Sequence, residues 1–188
     1  MKLAIFTDIW GIDPTLASWA NSLPCADQLE LLSPYPQRCD TELPHFSDDQ
    51  HAYSFFTQHG GLDQYTTFAR DWMAQQTDPV MVLGFSAGGA VAYQLACDDR
   101  HPKAIFGVYA GQIHRLAQRL VQCPTQLVFS DEHHFDVPTL VATLGQQALI
   151  NAEHWRYPHG FANTRSQGFT AQALLKLTAQ VHCWLKSQ

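Results

Sequence analysis

The residues of this chain best suited to chemistry are Gly84-Phe85-Ser86-Ala87-Gly88-Gly89. An apolar run, Val80-Met81-Val82-Leu83, leads into them, and a small-residue helical run, Ala90 to Ala96, follows. Strand, sharp turn and helix with a serine at the turn form a nucleophile elbow. The flanking glycines let the strand reverse without side-chain clashes around a strained serine. The turn also aims the first N–H groups of the helix at the reacting centre, where they stabilise negative charge. The bland alternative is a Gly/Ser turn that binds phosphate in an ordinary βα unit.

A serine hydroxyl is a weak nucleophile at neutral pH, so it needs a base and a group that orients the base. On an elbow of this kind the chain order is serine, acid, histidine. Ten histidines are present, so histidine alone means little. His159 is the one in a loop after the last strand pattern and before the last helix pattern, in Tyr157-Pro158-His159-Gly160-Phe161. His154 falls near the start of that strand, at the wrong end for catalysis. The acid is left open among Asp131, Glu132 and Asp136, all of which follow the strand Thr125–Ser130. Asp136 also fits a helix cap before Val137-Pro138. Two backbone N–H groups should hold the oxyanion, one from Ala87 and one from the loop around Ile9-Trp10. Trp10, Phe85 and Phe161 are expected to wall the substrate pocket. Arg38, Arg156 and Arg165 are isolated cations that a substrate carboxylate could meet.

These residues need a scaffold, and the pattern supplies one. Strand-type runs occur at Leu3–Thr7, Leu29–Leu32, Val80–Phe85, Ala104–Tyr109, Thr125–Ser130 and His154–Tyr157. Several are continuously apolar, as parallel strands covered on both faces require. Helical patterns lie between them at Pro14–Leu23, Leu62–Gln76, Gly88–Cys97, Val137–Leu144 and Thr170–Lys186. Asp13 before Pro14 is an N-cap signal. Strands alternating with helices predict an α/β fold with a parallel sheet and right-handed crossovers. The whole chain, 1–188, reads as one domain. The stretch 33–61, with Pro34, Pro36, Pro44 and Gly60-Gly61, reads as an irregular segment that covers the active site.

Composition bounds the function. The chain has 188 residues, 46% of them hydrophobic and 15% charged, which fits a globular domain with a substantial core. With a formal net charge of -6 and no Lys/Arg block, nucleic acid and anionic membranes are not expected partners. No apolar run approaches the ~20 residues of a membrane span, and the N-terminus reads as a strand, not a signal peptide. Five scattered cysteines, Cys25, Cys39, Cys97, Cys123 and Cys183, lack metal spacing and point to free thiols in a reducing cytoplasm.

Taken together, the motifs resemble the dienelactone hydrolase-like branch of the α/β-hydrolases. Thr7-Asp8-Ile9-Trp10-Gly11-Ile12 is similar to that branch's acid-Ile-aromatic-Gly segment, Gly84 to Gly89 match its elbow, and His159-Gly160-Phe161-Ala162-Asn163-Thr164-Arg165 is similar to its histidine segment. Tyr109-Ala110-Gly111 and Cys123-Pro124-Thr125 look like its later strand boundaries. The resemblance implies a minimal α/β-hydrolase fold of about six mostly parallel strands, with the first one or two strands of the usual fold absent. It implies Ile9 as an oxyanion donor, no cofactor, no metal and a small ester, thioester or lactone as substrate. It also leaves one sheet edge exposed, a surface suited to a homodimer. The branch's acid usually lies three residues after a strand-ending glycine. Counting from Ser130 puts His133 there, so a local shift must bring Asp131 or Glu132 into place. Two other readings follow from the same residues. One is a non-catalytic α/β-hydrolase-like binding protein with a degenerate acid position. The other is a metal site built from Asp131, Glu132, His133 and His134, which the alternation of side chains along an extended segment disfavours.

Overall fold

The computed structural model describes residues 2–24, 28–35 and 45–187. Cys25, Cys39 and Arg38 lie outside them. Six strands form one parallel sheet: β1 (Lys2–Phe6), β2 (Leu29–Leu32), β3 (Val80–Phe85), β4 (Ala104–Val108), β5 (Thr125–Asp131) and β6 (Ile150–Pro158). Their order is β2-β1-β3-β4-β5-β6, and every neighbouring pair is parallel. The helices are α1 (Pro14–Asn21), α2 (Asp49–Gln58), α3 (Gly61–Ala74), α4 (Ala87–Ala96), α5 (Val137–Leu144) and α6 (Ala171–Lys186). This is the six-stranded α/β architecture that the alternating pattern implies.

Side-chain alternation along each strand feeds two cores, one per sheet face. Leu3, Ile5, Met81, Leu83 and Phe85 meet Ala20 of α1 and Leu177, Val181 and Trp184 of α6. Ala4, Phe6, Val80 and Val82 meet Tyr65 and Trp72 of α3 and Val91 and Leu95 of α4. With both faces covered, β3 has no exposed residue, which is why it reads as a continuous apolar run.

The caps follow the sequence. The Asp13 carboxylate accepts the Leu16 N–H at 2.7 Å ahead of Pro14. Asp136 takes the N-cap position of α5, but its carboxylate accepts the Thr139 hydroxyl and no backbone N–H. The stretch 33–61 is not irregular throughout. Asp48 accepts the His51 N–H at 2.8 Å and starts α2. Only Ala52 and Phe56 of that helix are buried, so its apolar stripe is too thin to show in the sequence. Phe46 and Ala52 pack on Trp10, and Ile9 and Phe55 flank that small cluster.

Candidate active site

The elbow comes first, because it places the serine. Ser86 sits at φ 49 and ψ -112, a conformation that L-residues adopt only when the surroundings enforce it. Its N–H is tied to the Val108 carbonyl of β4 at 2.9 Å. A Cβ on Gly88 would collide with the carbonyl oxygens of Phe6 and Thr7, and one on Gly84 would collide with the Gly88 carbonyl. The strand and helix therefore approach through glycine alone at these two points. A serine at a helix N-cap usually bonds the helix backbone. Here it makes no side-chain cap, and its Oγ lies 2.9 Å from His159 Nε2.

His159 follows the last residue of β6, and Gly160 turns the chain at φ +77. Its Nδ1 lies 2.7 Å from Glu132 Oε1. The same oxygen accepts the Ser130 hydroxyl at 2.7 Å. Burial disfavours the ionised form of Glu132. The hydrogen bond from His159, the field of that ring, the Ser130 hydroxyl and His134 outweigh it and hold the carboxyl below its ordinary range. An ionised Glu132 fixes the proton of His159 on Nδ1 and leaves the Nε2 lone pair facing the serine hydroxyl. The Tyr109 ring packs edge-on against the imidazole, with centroids 5.2 Å apart. Tyr109 itself is held at φ 39, where its N–H bonds the Val128 carbonyl at 2.7 Å.

Of the three acids left open by the sequence, the structure brings only Glu132 to His159. Asp131 is the preceding residue of an extended strand and points to the other side. It bonds His154 Nε2 at 2.7 Å instead. His154, expected near the start of the last strand, sits well inside β6, because that strand begins at Ile150. Asp136 is engaged at its helix start. The metal arrangement does not form: no group of three or more His, Cys, Asp or Glu among the described residues could hold an ion. Asp131 and Glu132 are committed to different histidines, and His133 and His134 are exposed.

The remaining expected residues divide. The Ala87 N–H belongs to the first turn of α4, where no intrahelical acceptor exists. The Ile9 N–H has no acceptor among the described residues, while the Ile9 carbonyl takes the Tyr35 hydroxyl at 2.7 Å. Phe85 lines a cavity of about 40 Å³ with Asp8, Leu16, Trp19, Tyr109 and Arg165. One pocket expectation needs correction. Phe161 is 0% exposed and packs against Tyr109 and Trp155 in the core. Trp10 lies under Phe46 and its Nε1 donates to Asp49 at 2.9 Å, so it braces the loop. Arg165 is not free for a substrate carboxylate. It lies 2.7 Å from Asp13, without hydrogen-bond alignment at Nε, and donates from Nη2 to the Gly11 carbonyl at 3.0 Å. Arg156 is exposed on β6.

Two residues around the site are not singled out by the sequence. Asp8 is buried within the field of His159 and accepts the Trp10 N–H at 3.0 Å and the Asn163 amide at 2.7 Å. Burial raises its carboxyl above the ordinary range, against those two bonds and the fields of Arg165 and His159. Asp49, at the start of α2, holds Trp10 through one oxygen and Ser166 and Gln167 through the other. The signal for Asp8 was its place in the segment Thr7 to Ile12. For Asp49 there was none, since its partners are far away in the sequence.

A serine elbow on a six-stranded parallel sheet, with a histidine loop after β6, defines the chain as an α/β-hydrolase. The comparisons narrow this further. The chain belongs to the dienelactone hydrolase family, which it matches over residues 40–188. Among solved structures, a protein of dienelactone hydrolase type from Klebsiella pneumoniae subsp. pneumoniae is 13% identical, with a TM-score of 0.67 over 99% of this chain and 86% of that one. A dienelactone hydrolase-like promiscuous phosphotriesterase from metagenomic libraries is 16% identical, with a TM-score of 0.63 over 99% and 85%. A dienelactone hydrolase from Anabaena variabilis is 18% identical, with a TM-score of 0.61 over 100% and 86%. At these identities the structures speak for the fold. The comparison with curated proteins gives no match. Among the described residues no helix is long and apolar enough to cross a membrane.

Proposed function

We propose that the protein is a serine hydrolase that cleaves a small carboxylic ester, thioester or lactone through an acyl-enzyme. The observation that carries this reading is the unbroken line from Ser86 Oγ to His159 Nε2 at 2.9 Å and from His159 Nδ1 to Glu132 at 2.7 Å. Ser86 Oγ adds to the carbonyl carbon as its proton passes to His159 Nε2. The oxyanion is held by the N–H groups of Ile9 and Ala87, each donor contributing about 3 kcal/mol to lowering the barrier. The tetrahedral intermediate collapses, and His159 returns the proton to the departing alcohol, thiol or alkoxide. Water then adds to the acyl-enzyme, its proton taken by His159, and Ser86 leaves with that proton. Glu132 stays ionised and stabilises the imidazolium in both halves.

The binding-protein reading rested on His133 at the expected acid position, and Glu132 removes that motive by reaching His159 from one residue earlier. The scattered cysteines, of which Cys97, Cys123 and Cys183 are free thiols, support a cytoplasmic setting.

The test is hydrolysis of p-nitrophenyl acetate and butyrate by the wild type, Ser86→Ala, His159→Ala and Glu132→Gln, with fluorophosphonate labelling of Ser86. Turnover and labelling in the wild type, with both lost in Ser86→Ala, are expected. A wild type that neither turns over nor labels returns the weight to a non-catalytic binding protein.

A further inference from the structure

We propose that the Asp131–His154 pair is a positioning clamp that sets the Glu132–His159 bond, a reading that rests on the proposed hydrolase mechanism. The sheet register shows where such a device is needed. β5 and β6 pair regularly as far as Phe129 opposite His154, and pairing resumes at Asp131 opposite Pro158. An advance of two residues along β5 matches four along β6, so β6 bulges at the end of the sheet that carries the site. Bulges re-aim side chains, but they also loosen the ladder, because the extra residues lack partners.

The Asp131–His154 bond spans this gap. Its donor, His154, is the last β6 residue of the regular ladder, and its acceptor, Asp131, is the first β5 residue of the resumed one. The bond is 2.7 Å long, and the His154 side chain is only 14% exposed. Each residue at the resumed register point is followed directly by a site residue: Asp131 by Glu132, and Pro158 by His159. The register held by the clamp therefore fixes the two backbone positions from which Glu132 and His159 reach each other. Strand alternation lets one strand end do both jobs. Ser130 and Glu132 share the face toward His159 and are hydrogen-bonded at 2.7 Å, while Asp131 takes the opposite face. The clamp thus explains how an acid one residue ahead of the family's usual position serves this histidine. Asp131 and His154 do not touch the reacting atoms; they act through Glu132.

The test compares the wild type, Asp131→Ala, His154→Ala and Asp131→Asn by kcat, KM, melting temperature and the ring-nitrogen chemical shifts of His159, which report its tautomer. The clamp predicts that Asp131→Ala and His154→Ala lower kcat by roughly ten- to hundredfold, the range of a slightly misplaced site group, with KM changed little. It predicts that both convert His159 from the Nδ1–H form to a mixture of tautomers. Asp131→Asn retains an oxygen that accepts from His154 and should restore both readouts. Wild-type kcat and an unchanged tautomer in Asp131→Ala would overturn the clamp, as would a lower melting temperature with no change of tautomer. If the wild type turns over no ester, the hydrolase reading is what fails. The tautomer comparison then decides the clamp by itself.

Discussion

Glu132 Oε1 lies 2.7 Å from His159 Nδ1, although the carboxylate of Asp131, the last residue of β5, directly precedes it in the chain. Side-chain length and strand alternation together produce this choice. Glu132 is on the right face, and its extra methylene covers the distance.

The first prediction separates these two neighbours. Glu132→Gln keeps the shape but removes the charge that fixes the His159 tautomer, and kcat should fall by about 10⁴-fold, as when a triad carboxylate becomes an amide. Asp131→Asn should stay within a few-fold of the wild type. Steady-state hydrolysis of p-nitrophenyl acetate measures both. The reverse order would assign the orienting role to Asp131.

Glu132 also links the site to acid stability. Its carboxyl titrates below the ordinary 4.5, so between the two values the unfolded chain binds more protons than the folded one. Its contribution is present above the ordinary value and lost as the pH falls through the lower, folded value. Glu132→Gln should therefore melt below the wild type near pH 7, and the gap should close toward pH 3. Calorimetry across that range checks it. A gap that is constant with pH would mean the ionisation of Glu132 is not coupled to folding.

Asp8 should behave with the opposite sign. Burial raises its carboxyl, so the folded chain holds that proton more tightly than the unfolded one. The resulting stability is present at low pH and lost as the pH rises through the raised value. Asp8→Asn removes this loss. It also replaces one accepting oxygen by an NH2 donor, which costs one of the bonds from the Trp10 N–H and the Asn163 amide at every pH. The signature is thus a slope: the melting temperature of Asp8→Asn minus that of the wild type should increase from about pH 4 to about pH 8. A flat or falling difference would contradict a raised Asp8.

The parts of the site legible in the sequence are those fixed by a few consecutive residues. Strand β3, the glycines around Ser86 and the start of α4 are neighbours in the chain, so their types alone describe the turn. His159 was legible because its loop lies between a strand pattern and a helix pattern. The acid was not, because its position depends on a bulge in β6, and no residue of β5 reports the register of its neighbour. Helix α2 leaves little pattern in the sequence because only Ala52 and Phe56 are buried. Phe161 shows a different cause of error. An aromatic beside a site residue suggests a pocket wall, yet Phe161 is fully buried and packs on Tyr109, which is distant in the chain.

Asp49 gives the last prediction, because it joins the two loops that the proposed mechanism brings together. One carboxylate oxygen accepts Trp10 Nε1 at 2.9 Å, which anchors the segment carrying the Ile9 N–H. The other accepts the Ser166 hydroxyl at 3.0 Å and the Gln167 N–H at 3.1 Å, which anchors the loop that follows His159. Asp49→Ala leaves three donors without this acceptor. Ser166 and the Trp10 ring are largely buried, so water replaces the lost bonds poorly. A loss of about 2 kcal/mol is expected from unsatisfied groups of this kind, read from urea unfolding midpoints at constant m-value. The oxyanion loop and the histidine loop also lose their common tie. The fall in kcat should therefore persist at temperatures where the variant is fully folded, while Ser86 still labels with fluorophosphonate. Asp49→Asn, which retains one accepting oxygen, should fall between the two. A destabilised Asp49→Ala with wild-type kcat would show that the two loops keep their relation without this residue.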